Sequence, residues 1–205
     1  MNIKHAFTAA ETLIVIVIIG IVSSCVLVAL KPGDVKKDML KKSGNNMLLQ
    51  IDFATRQVLA KNSMNYKMTK LVTNAGVQFS INDSKADEKL IALYKRALIP
   101  SRNKTIPATY TAIELKNEAN AKIGGGLKIS SFTQGFRVKN GAYFAIKLNG
   151  NCTTNETYIY DPSAPEKRTA KKSCGLIFFD TNAEDSPNIV GVDEFIVPIG
   201  NSGLR

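Results

Sequence analysis

A single histidine, His5, stands among the first residues of a 205-residue chain, so neither a Ser-His-Asp nor a Cys-His relay nor a multi-histidine metal site can be built in its main body. The three cysteines are too few for a four-cysteine zinc site, and no CxxC spacing offers redox chemistry. Cys152 and Cys174 share one polar region far from Cys25, which reads as one bridge and one odd thiol. If that region is exported, closing the loop should stabilise the fold by about 3 kcal/mol through the unfolded state. Asp180, Asn182 and Asp185, with Asn188 and Asp193 beyond, gather oxygen ligands that could hold Ca²⁺. An EF-hand is excluded, because Asp185 stands where that motif has glycine and Gly191 where it has a bidentate glutamate. The same residues read equally as a solvated Asx-rich turn, which is the preferred account. Gly124-Gly125-Gly126 lacks the Gly-Lys-Ser/Thr ending of a phosphate loop and reads as a turn. No catalytic constellation emerges, and no enzyme is expected.

The remaining chemistry-bearing residue is Glu11. It is the one charge between Phe7 and Leu30, a run that as a helix of ~1.5 Å per residue would span about 36 Å and cross a bilayer. A charged acid held in the apolar layer costs roughly 2–3 kcal/mol, so Glu11 calls for a partner. A short basic leader, Met1 to Ala6, ends directly before the apolar run, whereas a secretory signal is cut after its apolar stretch. Cleavage between Ala6 and Phe7 would place a new α-amino group near Glu11. Lys31, Lys36, Lys37, Lys41 and Lys42 follow the run, so the positive-inside rule alone leaves its orientation ambiguous or reversed.

At these residues the chain resembles the type IV pilin-like family, which includes pilins and the pseudopilins of type II secretion. The likeness is carried by the basic leader, small Ala6, Phe7 opening the mature chain, Glu11 five residues into it, and the apolar run from Thr12-Leu13-Ile14-Val15-Ile16. Ala6 stands where the family most often has glycine, and Ala9-Ala10 replaces bulkier residues. The resemblance implies that a prepilin peptidase cuts after Ala6 and N-methylates Phe7. It implies that the helix serves as membrane anchor and filament core, and that Glu11 pairs with the new N-terminus of a neighbouring subunit. Other subunits, an inner-membrane assembly platform and the lipid bilayer are the implied partners. The body would lie outside the cytoplasmic membrane, and the filament would be a pilus or pseudopilus. Such subunits often carry a C-terminal disulfide loop, and some pseudopilins bind calcium nearby. A rival is Val22-Ser23-Ser24-Cys25, which looks like a lipobox and would make the chain a lipidated binding protein with no filament role. The apolar run continues to Leu30, where a lipoprotein would already be polar, so Cys25 reads better as a small apolar residue in a helix.

These residues need elements to position them. Formal charge is 27 − 17 = +10 and 44% of residues are hydrophobic, enough for one real core. The basic lysines make anionic lipid or DNA conceivable partners, but no interleaved aromatics support a nucleic-acid platform. Past Pro32-Gly33, Asp34 can cap a helix whose stripe is Val35, Met39, Ser43, Met47, Ile51, Ala54 and Val58; Gly44 and Asn45-Asn46 weaken it and invite a bend. A second helix is expected over Lys85 to Ile99, capped through Ser84 and Asp87, with Leu90, Ile91, Tyr94, Ala97 and Leu98 inward and Pro100 as its stop. Strands are expected at Tyr110–Leu115, Lys122–Ile129, Phe136–Lys139, Ala142–Leu148, Thr157–Tyr160, Leu176–Phe179 and Glu194–Ile199. Asn140-Gly141 marks a hairpin that turns Phe144, Ile146 and Leu148 toward the long helix. The expected fold is α+β and pilin-like, a long N-terminal helix packed on a C-terminal antiparallel sheet. Its expected divisions are a leader 1–6, an assembly helix 7–30, an amphipathic continuation 31–62 and a globular domain 63–205.

Overall fold

The structure is a computed structural model that describes residues 13–19, 32–62, 67–68, 71–72, 78–80, 85–101, 106–123, 126–150, 152–156 and 171–204. Contacts divide the chain into two units, 1–39 and 40–205. In the first, residues 13–19 are helical, and Leu13 and Ile16 are about two-thirds exposed (66% and 65%). Ala6, Phe7, Glu11 and Cys25 lie outside the described residues, as does most of the expected anchor over 7–30. Among the described residues no helix is long and apolar enough to cross a membrane.

The long helix α1 runs over Pro32–Asn62 without a break. In the second unit its buried face comprises Gly44, Met47, Ile51, Ala54, Thr55, Val58 and Leu59, so the expected stripe holds from Met47 onward. Val35, Met39 and Ser43 are exposed instead. Within the second unit, at 100° per residue, exposed Leu49 and Phe53 lie on the arc opposite Met47, Ile51 and Val58. Gly44 lies inside the unbroken helix. Gly44 lies flat against the Phe195 ring, and a Cβ there would overlap that ring. The residue that weakens helix propensity is the one that lets α1 approach the sheet.

Helix α2, Ala86–Ala97, buries Leu90, Ile91, Leu93 and Tyr94. Of the expected capping pattern, Ser84 lies outside the described residues. Lys85 takes the cap position in the left-handed region (φ 66°) with no side-chain cap, and Asp87 accepts the Leu148 N–H at 3.3 Å. Thr55 joins the two helices in the core, donating to the Ile51 carbonyl at 2.7 Å and sharing a 2.7 Å hydrogen bond with the Tyr94 hydroxyl. Burial raises the Tyr94 phenol well above its ordinary range.

Among the described residues, nine strands form three antiparallel sets. The hairpin β1 (Leu71–Val72) with β2 (Gln78–Phe79) and the pair β5 (Thr154–Glu156) with β6 (Lys171–Ser173) are small. The main sheet has five strands in the order β3 (Thr133–Arg137), β4 (Tyr143–Leu148), β7 (Gly175–Asp180), β8 (Glu194–Gly200) and β9 (Gly203–Leu204). The β3–β4 turn forms where Asn140-Gly141 placed it: Val138 donates to Ala142 O at 2.8 Å, Gly141 donates to Val138 O at 2.9 Å, and Gly141 takes φ 97°. That is a three-residue loop with glycine in the left-handed region rather than a two-residue turn.

Phe144 and Ile146 face the helices as expected, in one core with Met47, Ile51, Leu90, Tyr94, Ile177, Phe179, Phe195 and Ile199. Leu148 packs half-buried on that core. The opposite face is also covered: Tyr143, Ala145, Leu176, Phe178 and Ile196 form a second core with Tyr110, Leu115, Ile129, Phe132, Ala183 and Val190. This explains the expected strands at Tyr110–Leu115 and Lys122–Ile129 that do not form. Those segments become helix α3 (Ala108–Thr111), isolated bridges and a 3₁₀ turn (Ile129–Ser131), whose apolar residues roof the sheet. The expected strand Thr157–Tyr160 lies outside the described residues.

Gly44→Ala on an ordinary exposed helix should stabilise by about 1 kcal/mol. Here the new methyl meets Phe195, so Gly44→Ala should destabilise the full chain by about 1–3 kcal/mol in urea unfolding followed by circular dichroism. A gain in stability would mean that α1 does not approach the sheet through Gly44.

Candidate functional site

Among the described residues the polar chemistry concentrates at one end of the main sheet. Asp180 ends β7 and Glu194 opens β8, directly opposite each other; Tyr143 lies opposite Asp180, and Arg137 opposite Tyr143. Directly paired residues share a face, so Arg137, Tyr143, Asp180 and Glu194 form one cross-strand row on the roofed side. All four are buried, Asp180 and Glu194 completely.

The row is partnered unevenly. Arg137 pairs with Glu184 and donates to Gly141 O at 3.2 Å, so its charge is spent at the β3 end. Asp180 Oδ2 accepts from the Tyr110 hydroxyl at 2.8 Å, and its Oδ1 accepts the N–H groups of Asn182 and Ala183, both at 3.0 Å. Asp193 accepts the N–H groups of Asn188 at 2.9 Å and Ile189 at 2.7 Å. Neither Glu194 oxygen has a hydrogen-bond partner. Burial, then the charges of Asp180 and Asp193, pushes Glu194 up to about 9. Burial pushes Asp180 up to about 8 while its donors hold it back, and Asp193 is also raised by burial. The Tyr110 phenol is raised by burial and by Asp180 beside it.

Of the four residues weighed for calcium, Asn182 hydrogen-bonds with both Asp180 and Asp193. Asp180 and Asp193 direct their carboxylates at backbone N–H groups, and Asp180 to Asn182 is an Asx turn. Asp185 is exposed, and Asn182 donates through Nδ2 to the carbonyls of Asp185 at 2.8 Å and Ser186 at 3.3 Å. Among the described residues no three His, Cys, Asp or Glu side chains are grouped to hold a metal ion. Glu194 and Tyr110 were missed as members of the site. The available signal was a carboxylate directly abutting the apolar run Phe195-Ile196-Val197 and facing Asp180, which abuts Ile177-Phe178-Phe179.

At the other end of β7, Cys152 and Cys174 form the expected disulfide. Cys174 is buried between β6 and β7, donates to Ile199 O at 2.6 Å, and its carbonyl accepts the Asn149 N–H at 3.1 Å. The bridge ties the segment leading into β5 to the sheet and encloses the basic run 166–172, of which residues 166–170 lie outside the described residues. A cleft of about 520 Å³ lies between Ile113–Asn120 and Pro187–Ile189, and its mixed lining pairs no nucleophile with a base.

Reducing the disulfide, or replacing both partners as Cys152→Ser/Cys174→Ser, opens a closure of 22 residues and should cost about 3 kcal/mol. The melting temperature of the full chain, with and without reductant, reads this directly; an unchanged value would show that the loop ends are held without the bond.

No family model, no curated protein and no solved structure matches the chain, so the likeness to pilin-like proteins rests on the N-terminal residues themselves.

Proposed function

We propose that this chain is a type IV pilin-like or pseudopilin subunit, processed by a prepilin peptidase and assembled into a pilus or type II secretion pseudopilus. The observation that carries the reading is Glu11, alone in an apolar run that begins one residue after the small Ala6 of a basic leader. The α+β body agrees with it: a long helix laid on an antiparallel sheet, with a disulfide near the C-terminal end. The exposed apolar side chains over 13–19 also agree with a helix whose partners are lipid or other copies.

In this mechanism the leader stays in the cytoplasm, the body is exported, and cleavage after Ala6 frees the amine of Phe7. Assembly exchanges lipid contacts of the helix for helix contacts, and Glu11 sets register by pairing with the amine of a neighbour. In a low-dielectric environment such a pair is far stronger than in water, and losing one member leaves a buried charge uncompensated. The chain performs no chemistry of its own in this scheme and is the substrate of its processing enzyme.

Mass spectrometry of the protein from membranes of its native host should find a chain that starts at N-methylated Phe7. A chain starting at lipidated Cys25 would overturn the reading in favour of an anchored binding protein. Glu11→Ala should still insert in the membrane but lose most filament incorporation, as read by immunoblot of sheared filaments; full incorporation would remove the assembly role of Glu11.

A further inference from the structure

The roof of the sheet carries a short backbone edge that is only half paired. Along 113–117 the alternate residues are bonded to 121–129: Leu115 donates to Leu127 O at 2.8 Å and Asn117 to Ala121 O at 3.0 Å, while the carbonyls of Ile113 and Leu115 accept from Ile129 at 3.2 Å and Ile123 at 2.9 Å. Glu114 and Lys116 bridge to Lys128 and Lys122 in this antiparallel register, so their own backbone groups point to the opposite side. There Val190 donates to Lys116 O at 2.8 Å. The N–H and carbonyl of Glu114 and the N–H of Lys116 bond to no described residue.

The segment facing this edge cannot close it. Pro187 has no N–H, and Asn188 and Ile189 donate theirs to the Asp193 carboxylate at 2.9 and 2.7 Å, so Val190 is the first residue of that segment with an N–H for the edge. Between the two segments lies the cleft of about 520 Å³, with Glu114 and Lys116 on one wall and Pro187, Asn188 and Ile189 on the other. Two donors and one acceptor set along one extended edge match another backbone better than a compact small molecule. Such groups repeat every second residue, roughly 7 Å apart, and a second extended chain reproduces that spacing.

The cleft also selects for charge. Its two carboxylates are already matched, Glu114 by Lys122 at 2.8 Å and Glu118 by Lys41 at 3.7 Å. Lys116 is half-buried in the lining and forms no ion pair with a described residue. Along the edge Glu114 and Lys116 share one face, and Ile113 takes the other.

We propose that this cleft docks an extended peptide segment of a partner protein, paired through its backbone to Glu114 and Lys116, with an acidic side chain beside Lys116 and apolar neighbours on the Ile113 face. The same lysine opposes pairing of this edge with a second copy of itself, because like charges facing each other across a ladder destabilise it. The inference concerns the body alone and stands whether or not the chain assembles into a filament.

The test titrates the isotopically labelled full chain in detergent micelles with a blocked peptide, acetyl-Thr-Val-Glu-Val-Thr-amide, followed by NMR. Two relatives serve as controls, one with lysine in place of the glutamate and one with every backbone N–H methylated. The acidic peptide should shift the amide signals of Glu114 and Lys116 and slow their hydrogen exchange. Lys116→Glu should weaken its binding about tenfold, the lysine-bearing peptide should bind the wild type about tenfold more weakly, and the methylated peptide should not bind. Should Lys116→Glu not fold, the lysine-bearing peptide supplies the same comparison on the wild type. Unmoved Glu114 and Lys116 amides at millimolar acidic peptide, equal binding of the acidic and lysine-bearing peptides, or undiminished binding of the methylated peptide would each overturn the proposal. So would Glu114 and Lys116 amides already protected in the free chain, whether by a segment of its own or by a second copy.

Discussion

The second unit depends on one close approach, that of α1 to the sheet at Gly44 and Phe195. Phe195 stacks on Phe179 with ring centroids 5.0 Å apart and planes at 15°, and the glycine leaves room for the pair to lie against the helix backbone. From that point the helix lays Met47, Ile51, Ala54 and Val58 along the sheet, and Thr55 fixes α2 beside it through Tyr94. A bulkier residue at 44 would displace α1 from the sheet at the point where its buried stripe begins. Tyr94 in turn packs on Phe144 at 5.0 Å, so the helix pair and the central strand are one continuous aromatic contact.

A sheet with helices on one face must still cover the other. The chain does this without a second sheet or a long helix, using short irregular segments pinned by single strong contacts. Tyr110 stands edge-on to Tyr143 at 5.5 Å and donates to Asp180, while Phe132 packs on Phe178 at 5.4 Å. Irregular backbone buried in this way needs partners for its N–H groups, and the carboxylates of Asp180 and Asp193 supply them. The acids at the sheet end are therefore part of the roof's construction, and Glu194 is the one the roof leaves without donors.

The sequence shows this arrangement to different depths. Continuous apolar runs such as Ala142-Tyr143-Phe144-Ala145-Ile146 and Leu176-Ile177-Phe178-Phe179 are legible as strands because both their faces are buried. The core stripe of α1 is legible from Met47 on, where a 3.6-residue period meets a real neighbour. Val35 and Met39 fit the same spacing rule in short windows, yet they are exposed. Tyr110–Leu115 has strand composition for a reason other than pairing: its apolar residues are spent on roofing. The Cys152–Cys174 pair followed from export chemistry, whereas the isolation of Glu194 depends on which donors tertiary structure brings near, and no local pattern encodes that.

Strand β7 joins these themes because its two ends are held by unlike chemistry. At Gly175 it leaves Cys174, covalently bonded to Cys152, and a Cβ at Gly175 would overlap the backbone of Lys147 and Leu148 on β4. At Asp180 it meets the acid row, where hydrogen bonds from Tyr110, Asn182 and Ala183 do the holding. One end is therefore held by a covalent bond and the other by hydrogen bonds. Since β7 is paired along its whole length with β4 and β8, loosening either end is resisted by the other through the sheet between them.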